Sequence, residues 1–365
     1  MSTQLAVDLP RTSHAPFHPD VTQADIARTL ELSRDHELRQ AEELAGRRRV
    51  LAEQYAATQH RMVEIFGAEV SFELQQFKRS LLHRDALRQA SHGRLDRDEA
   101  AAGRAVELTS FLKDRGIDRT QFDLYTRNEW EITMPFGFSV PDWQGTTKPV
   151  KPKPKPSGRE VSHFSPPFSG WQYGDGAGLV SGFRVGASHL LNAAAGHVGN
   201  VVTLDDDAAT DLDAGSMNSD TQISFWYRAP LTGLIEVTIN AVCGKSEHHL
   251  RVYDEWGVSW SGVTQTSSFM SHVLYPTVGA PSYSFQSRLD HDKDTSTSRD
   301  ETPFWPGQSV QSSPMVSDGP VPAGTWVEIR AGAHTGDGSL TNDMEVHSKT
   351  THSWFISRVD VRMLP

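Results

Sequence analysis

A chain of 365 residues, 37% hydrophobic and 22% charged, is long enough for two domains that each bury a core and too apolar for wholesale disorder. Its formal charge of −11 is uneven: from Trp171 onward 22 acidic residues stand against 11 basic ones, while the charges before it balance. An acidic C-terminal half argues against nucleic acid as its partner, because phosphate binding needs a basic surface, and no stretch approaches the roughly 18 uninterrupted apolar residues of a spanning helix.

Residues 1–20 carry Pro10, Pro16 and Pro19 with little periodicity and are expected to be a mobile leader. They lack a basic stretch followed by an apolar run, so the signal-peptide pattern is missing. The default location is the cytoplasm, with export by a signal-less route left open.

Residues 21–134 read as a helical domain. Thr22 or Asp25 is placed to cap a first helix. Leu44, Leu51, Tyr55, Met62, Phe66, Val70, Leu74, Phe77 and Leu81 then follow at steps of three, four or seven, the apolar stripe of one long coiled-coil-like helix. Gly67 inside that stripe marks a bend. A second helix is expected from Asp96 or Asp98 through Val106, Leu108, Phe111 and Leu112 to a left-handed cap at Gly116, and a short third one over 118–127. The stripe is longer than the second helix, so self-association through the helices is expected to cover the remainder.

Residues 135–167 read as a linker. Within it, 148–156 alternate Lys and Pro, and such a run is an extended polyproline II spacer.

From 168 to 365 the period turns to two. Strands are expected at 179–185, 198–204, 223–228, 234–243, 250–253, 270–274, 283–288, 325–335, 344–348 and 354–363. The segment 229–233 reads as a hairpin connection, and 174–178 and 336–338 as glycine-bearing turns. About eight to ten strands in a unit of this size give a jelly-roll-like β-sandwich. Cys243 is in phase with Ile235, Val237, Ile239 and Ala241, so it reads as a buried hydrophobe.

Motifs with a mechanism are few: there is no HExxH, paired CxxC, P-loop or GxSxG. Asp290, Asp292, Asp294 and Glu301, with Ser298 between, repeat the oxygen spacing of an EF-hand loop and make calcium the candidate cofactor, although Thr295 stands where the turn glycine belongs. A second acidic cluster comprises Asp205, Asp206, Asp207, Asp211, Asp213 and Asp220. His249, His334, Glu345 and His347 fall opposite the apolar phase of their strands and are expected to face outward. Tyr253, Trp256 and Trp260 lie beside Asp254 and Glu255, the combination of ring faces and acceptors that a glycan-binding face uses.

Three readings follow. The first is a non-catalytic recognition or assembly protein, with helices that oligomerise or anchor and a sandwich that binds a glycan, protein or particle surface. The second is a pore-forming toxin, the one case with a membrane partner. The third is a metal-dependent enzyme built on the Asp and His loops of the sandwich.

Overall fold

The computed structural model describes residues 11–13, 20–92, 97–118, 161–181, 183–206, 212–254, 260–279, 281–292, 297–342 and 344–365. The expected third helix and the Lys-Pro run lie outside them.

Helix α1 (Gln23–Phe66) starts at a reciprocal cap. The Asp25 backbone N–H donates to Thr22 Oγ1 at 3.2 Å and the Thr22 N–H donates to Asp25 Oδ2 at 2.9 Å, so both residues proposed as caps take part. The expected single long helix is instead broken. Gly67 adopts φ 81° and ψ 155°, a conformation open to glycine alone, and α2 (Ala68–His92) begins afresh. Helix α3 (Arg97–Asp114) closes at Gly116, whose φ is 71°. It covers part of the stripe within the same chain: Leu74 and Leu81 are buried against Leu108, Phe111 and Leu112, with Met62 and Phe66 packed at the rim. Ion pairs fasten α2 to α3 and to the residue after it, Asp85–Arg104 at 2.6 Å, Arg84–Glu107 at 2.8 Å and Glu73–Arg115 at 2.7 Å.

The rest is a β-sandwich of two antiparallel sheets. The six-stranded sheet runs in the order β1 (Arg11–Ser13), β3 (Gly170–Ser181), β6 (Leu212–Arg228), β13 (Trp326–Asn342), β8 (Trp260–Pro276) and β9 (Ser282–Asp292). The eight-stranded sheet runs β10 (Thr297–Glu301), β7 (Leu234–Asp254), β14 (Met344–Leu364), β5 (His197–Asp206) and β4 (Phe183–Asn192). The short strands β11 (Ser309–Gln311) and β12 (Met315–Val316) extend the cover along β7, and β2 (Val161–Phe164) pairs with β14. Thus β1 and β2 bring residues of the expected leader and linker into the sheets.

Several expected turns are strand. Residues 174–178 lie in β3 and 336–338 in β13, because a glycine surrounded by paired neighbours is held by its ladder. The segments 344–348 and 354–363 belong to one strand, β14, in which a bulge at Ser357 shifts the buried phase from even to odd residues. Residues 229–233 join β6 to β7 across the two sheets and so make no hairpin.

Between the sheets the packing changes along the strands. One end is apolar, built from Ile235, Val237, Ile239, Val327, Ile329, Val359, Val361 and Phe225 around the fully buried Trp354. Cys243 is buried there, and burial pushes its thiol up to about 11. Further along, Asn200, Ser219, Thr221, Thr335, Asp337, Ser348, Thr350 and His352 form a buried polar layer. A smaller apolar group, Leu204, Leu250, Val252 and Val346, follows it.

The first turns of α1 pack on the outer face of the six-stranded sheet. Val21 and Ile26 bury against Trp326 and Trp226, and Leu32 against Tyr275. Arg330, 2% exposed, is the joint: it donates to Glu328 at 3.2 and 3.1 Å, to Ser33 Oγ of α1 at 2.9 Å and to Gln172 of β3, with its guanidinium 4.5 Å over Tyr275.

Candidate functional site

With α1 on one outer face, the outer face of the eight-stranded sheet is where exposed rings and unburied polar rows occur together. Its centre is Phe355 on β14, which follows the buried Trp354 and therefore points outward. Phe355 is 42% exposed and stacks on His197 of β5 at 4.4 Å and 12°. Burial lowers the pKa of His197, favouring the neutral ring in that stack. Gly244 of β7 makes room for it: a Cβ there would lie 2.9 Å from the Phe355 ring and 2.7 Å from Ser353 Oγ.

On the far side of β7 sits a second ring. Trp305, 70% exposed, belongs to a turn held at both ends. Gly307 N donates to Cys243 O and Cys243 N to Gln308 O, each at 2.8 Å, while Gln308 N donates to Trp305 O at 2.9 Å. The Gln308 side chain accepts from Trp305 N at 3.1 Å. Gly307 supplies the positive φ, 85°, that this turn requires. Phe304 turns inward from the same loop, edge-on to Trp354 at 5.2 Å. Hence Trp305 is presented on backbone whose ordering is already complete.

Polar rows flank this strip. His347 of β14 lies between two carboxylates, Glu345 at 2.5 Å and Asp205 of β5 at 3.0 Å, and Glu345 first, then Asp205, raise its pKa against burial. On β7, Arg251 grips Asp300 of β10 through two bonds of 2.7 and 2.8 Å, and His249 adds a contact at 2.7 Å. Arg251, with His249 second, pulls the Asp300 carboxyl down to about 2. Lys245 lowers the pKa of Glu247, two residues on along the same side of β7. At the opposite end Asn240, Gln311, Arg358, Asp360 and His163 form a hydrogen-bonded group.

The residues singled out from sequence are distributed as follows. Tyr253 is on β7 at the edge of the charged row, its ring 6.5 Å from that of His347. Trp260 starts β8 in the other sheet, paired in register with Asn342, and Trp256 lies outside the described residues. Asp290 and Asp292 stand on β9 opposite Gln265 and Val263, and Glu301 stands on β10 of the other sheet opposite His248. Asp294 is outside the described residues. Among the described residues no group of three or more His, Cys, Asp or Glu side chains converges as a metal site. The second acidic cluster divides: Asp205 serves His347, Asp206 is buried, Asp220 pairs with His334 at 2.8 Å, Asp213 lies on β6, and Asp207 and Asp211 are outside the described residues. His249, His334 and His347 lie on the outward phase, as the alternation requires. Phe355, His197 and Trp305 were not anticipated. The one local signal was the turn sequence Trp305, Pro306, Gly307.

No family model matches the chain, and no curated protein matches it. Among solved structures it is similar to TmCBM61, a carbohydrate-binding module in complex with beta-1,4-galactotriose, at 11% identity and a TM-score of 0.11 over 46% of this chain and 88% of that one, a likeness too slight to carry an argument.

Proposed function

We propose that the chain is a non-catalytic recognition protein whose β-sandwich binds a glycan across the outer face of the eight-stranded sheet. The observation that carries this reading is the pair of exposed rings, Phe355 and Trp305, on either side of the Gly244 segment of β7. Ring faces of this kind stack on the apolar faces of sugars, and the flanking amides and carboxylates supply partners for hydroxyls. In this proposal the helical region serves assembly: Phe72, 62% exposed, and the exposed Val63 and Ile65 are the apolar surface a second copy would cover. Titration of the full chain with a panel of neutral and acidic oligosaccharides, followed by tryptophan fluorescence, tests the glycan reading. Trp305→Ala and Phe355→Ala should each weaken binding about tenfold, or ~1.4 kcal/mol. Binding unaltered in both variants, or no binding across the panel, would overturn it.

A further inference from the structure

The strip of rings on the outer face of the eight-stranded sheet is bordered on each side by a cation, and each cation is already bound to a carboxylate. Strand register places them. Phe355 stands opposite Val242 of β7, Ser353 opposite Lys245, and Arg358 opposite Asn240, whose other neighbour is Gln311 of β11. Lys245 therefore lies on one side of the strip and Arg358 on the other. Lys245 Nζ is 2.8 Å from Glu247 Oε2, on the same outward side of β7. Arg358 holds Asp360 through Nε at 2.7 Å and through a second nitrogen at 3.1 Å.

The two carboxylates differ in what they have left to offer. An ionised carboxylate accepts about four hydrogen bonds. Asp360 takes two from Arg358, one from Asn240 Nδ2 at 3.0 Å and one from His163 Nδ1 at 2.6 Å, so it is filled. Glu247 contacts Lys245 and, at 3.4 Å, His249 Nε2. Its side chain is 35% exposed, and it keeps acceptor capacity toward solvent. Lys245, as the first cause, lowers its pKa and so holds it in the ionised form.

An acidic sugar stacked on Phe355 or Trp305 would bring its carboxylate to a border where neither cation is uncommitted. To bind Lys245 or Arg358 it must displace Glu247 or Asp360 and leave that charge unpaired beside the ligand. The field of the module opposes it as well, since from Trp171 onward 22 acidic residues stand against 11 basic ones. Among the described residues Lys349 is exposed on this face and makes no ion pair, but it is six residues along β14 from Phe355, roughly 20 Å away. A cationic amino sugar finds no unpaired carboxylate on the border either. A neutral hydroxyl displaces nothing, because it donates to the open positions of Glu247. We infer that the strip is specific for neutral oligosaccharides, and that Glu247 sets this specificity by engaging Lys245 while accepting from a ligand hydroxyl. Such specificity rests on the glycan reading above and adds to it the charge of the ligand.

The test is isothermal titration calorimetry of the full chain with matched probes. These are neutral trisaccharides of glucose, galactose and mannose, the same trisaccharides with each exocyclic hydroxymethyl group oxidised to a carboxylate, and the trisaccharide of glucosamine. For the neutral sugar that binds, the oxidised counterpart should bind at least about tenfold more weakly at low salt, and the gap should narrow as salt is raised. Glu247→Gln should shrink the gap at least about fivefold by releasing Lys245, and adding Lys245→Gln should restore it. If Glu247→Gln unfolds, the salt dependence of the unaltered chain still decides. Oxidised or glucosamine probes that bind as tightly as the neutral ones, a gap indifferent to salt, a gap unchanged in folded Glu247→Gln, or a double variant that does not restore it would overturn the neutral specificity and leave the glycan reading in place. No binding by any probe would overturn both.

Discussion

Asp337 lies on the inward side of β13, accepting from Thr350 Oγ1 at 3.0 and 2.9 Å and from Ser348 Oγ at 3.0 Å. Burial nonetheless raises its pKa to about 6, opposed by the nearby His248 charge and those two hydroxyls. A carboxyl that binds its proton more tightly folded than unfolded stabilises the fold at low pH, and the advantage disappears as pH rises from 3.8 through about 6. Unfolding free energy should therefore fall by on the order of 2–3 kcal/mol across that window, and Asp337→Asn should flatten this part of a urea-denaturation profile. His347 acts at higher pH. Its raised folded-state pKa means a contribution fully present below 6.5 and lost as pH rises through the folded value, so His347→Gln should remove only that upper part of the slope. The outward placement of His249, His334 and His347 was legible from alternation, since side-chain direction in a strand is local. The partners of His189 were not, because Asp175 on β3 and Thr221 on β6 belong to the other sheet and meet it only once the two sheets are stacked.

Gly67 shows the same division at the level of elements. A glycine in an apolar stripe announced a change of direction, but whether it bends or ends the helix depends on what α3 covers. Because its φ of 81° and ψ of 155° suit glycine alone, Gly67→Ala should cost about 1–3 kcal/mol or fuse α1 with α2, measurable as lower thermal stability or increased helical content. Arg330 and Glu328 make the stronger prediction. Replacing Arg330 with Met strands a buried Glu328 carboxylate and should cost roughly 3–5 kcal/mol by urea unfolding, while the double change with Glu328→Met should recover most of it. Equal losses in the single and double variants would show that packing against Tyr275 and Leu32, and no ion pair, holds α1 to the sheet. Strands were legible wherever apolar alternation was clean, as in 234–243 and 325–335. Sheet membership was not, since Leu231 and its neighbours look alike whether they close a hairpin or cross between layers.

On the scale of the whole molecule, the division into a helical part and a sandwich is evident from the change of period, and the contact between them is not. The face of α1 that binds the sheet carries Thr29 and Ser33 among its apolar residues, which reads in sequence as an ordinary solvated turn. Assembly through the helices is tested by sedimentation equilibrium: the intact chain should form an oligomer at tens of micromolar and Phe72→Lys should reduce it to a monomer. A monomeric intact chain would confine the helices to their contacts within one molecule. The long strand pair has a mechanical meaning. β7 and β14 each run 21 residues, roughly 70 Å of ladder, and β14 is bound along its other edge by β5 and then β2. The helices are attached to one sheet through Arg330, while Leu364 ends β14 in the other. A force between helices and C-terminus would thus drag β14 lengthwise, so that its hydrogen bonds share the load instead of parting one by one. In single-molecule pulling, the sandwich should yield at high force in one event when held by these two ends, and at much lower force when β14 is peeled sideways from β7.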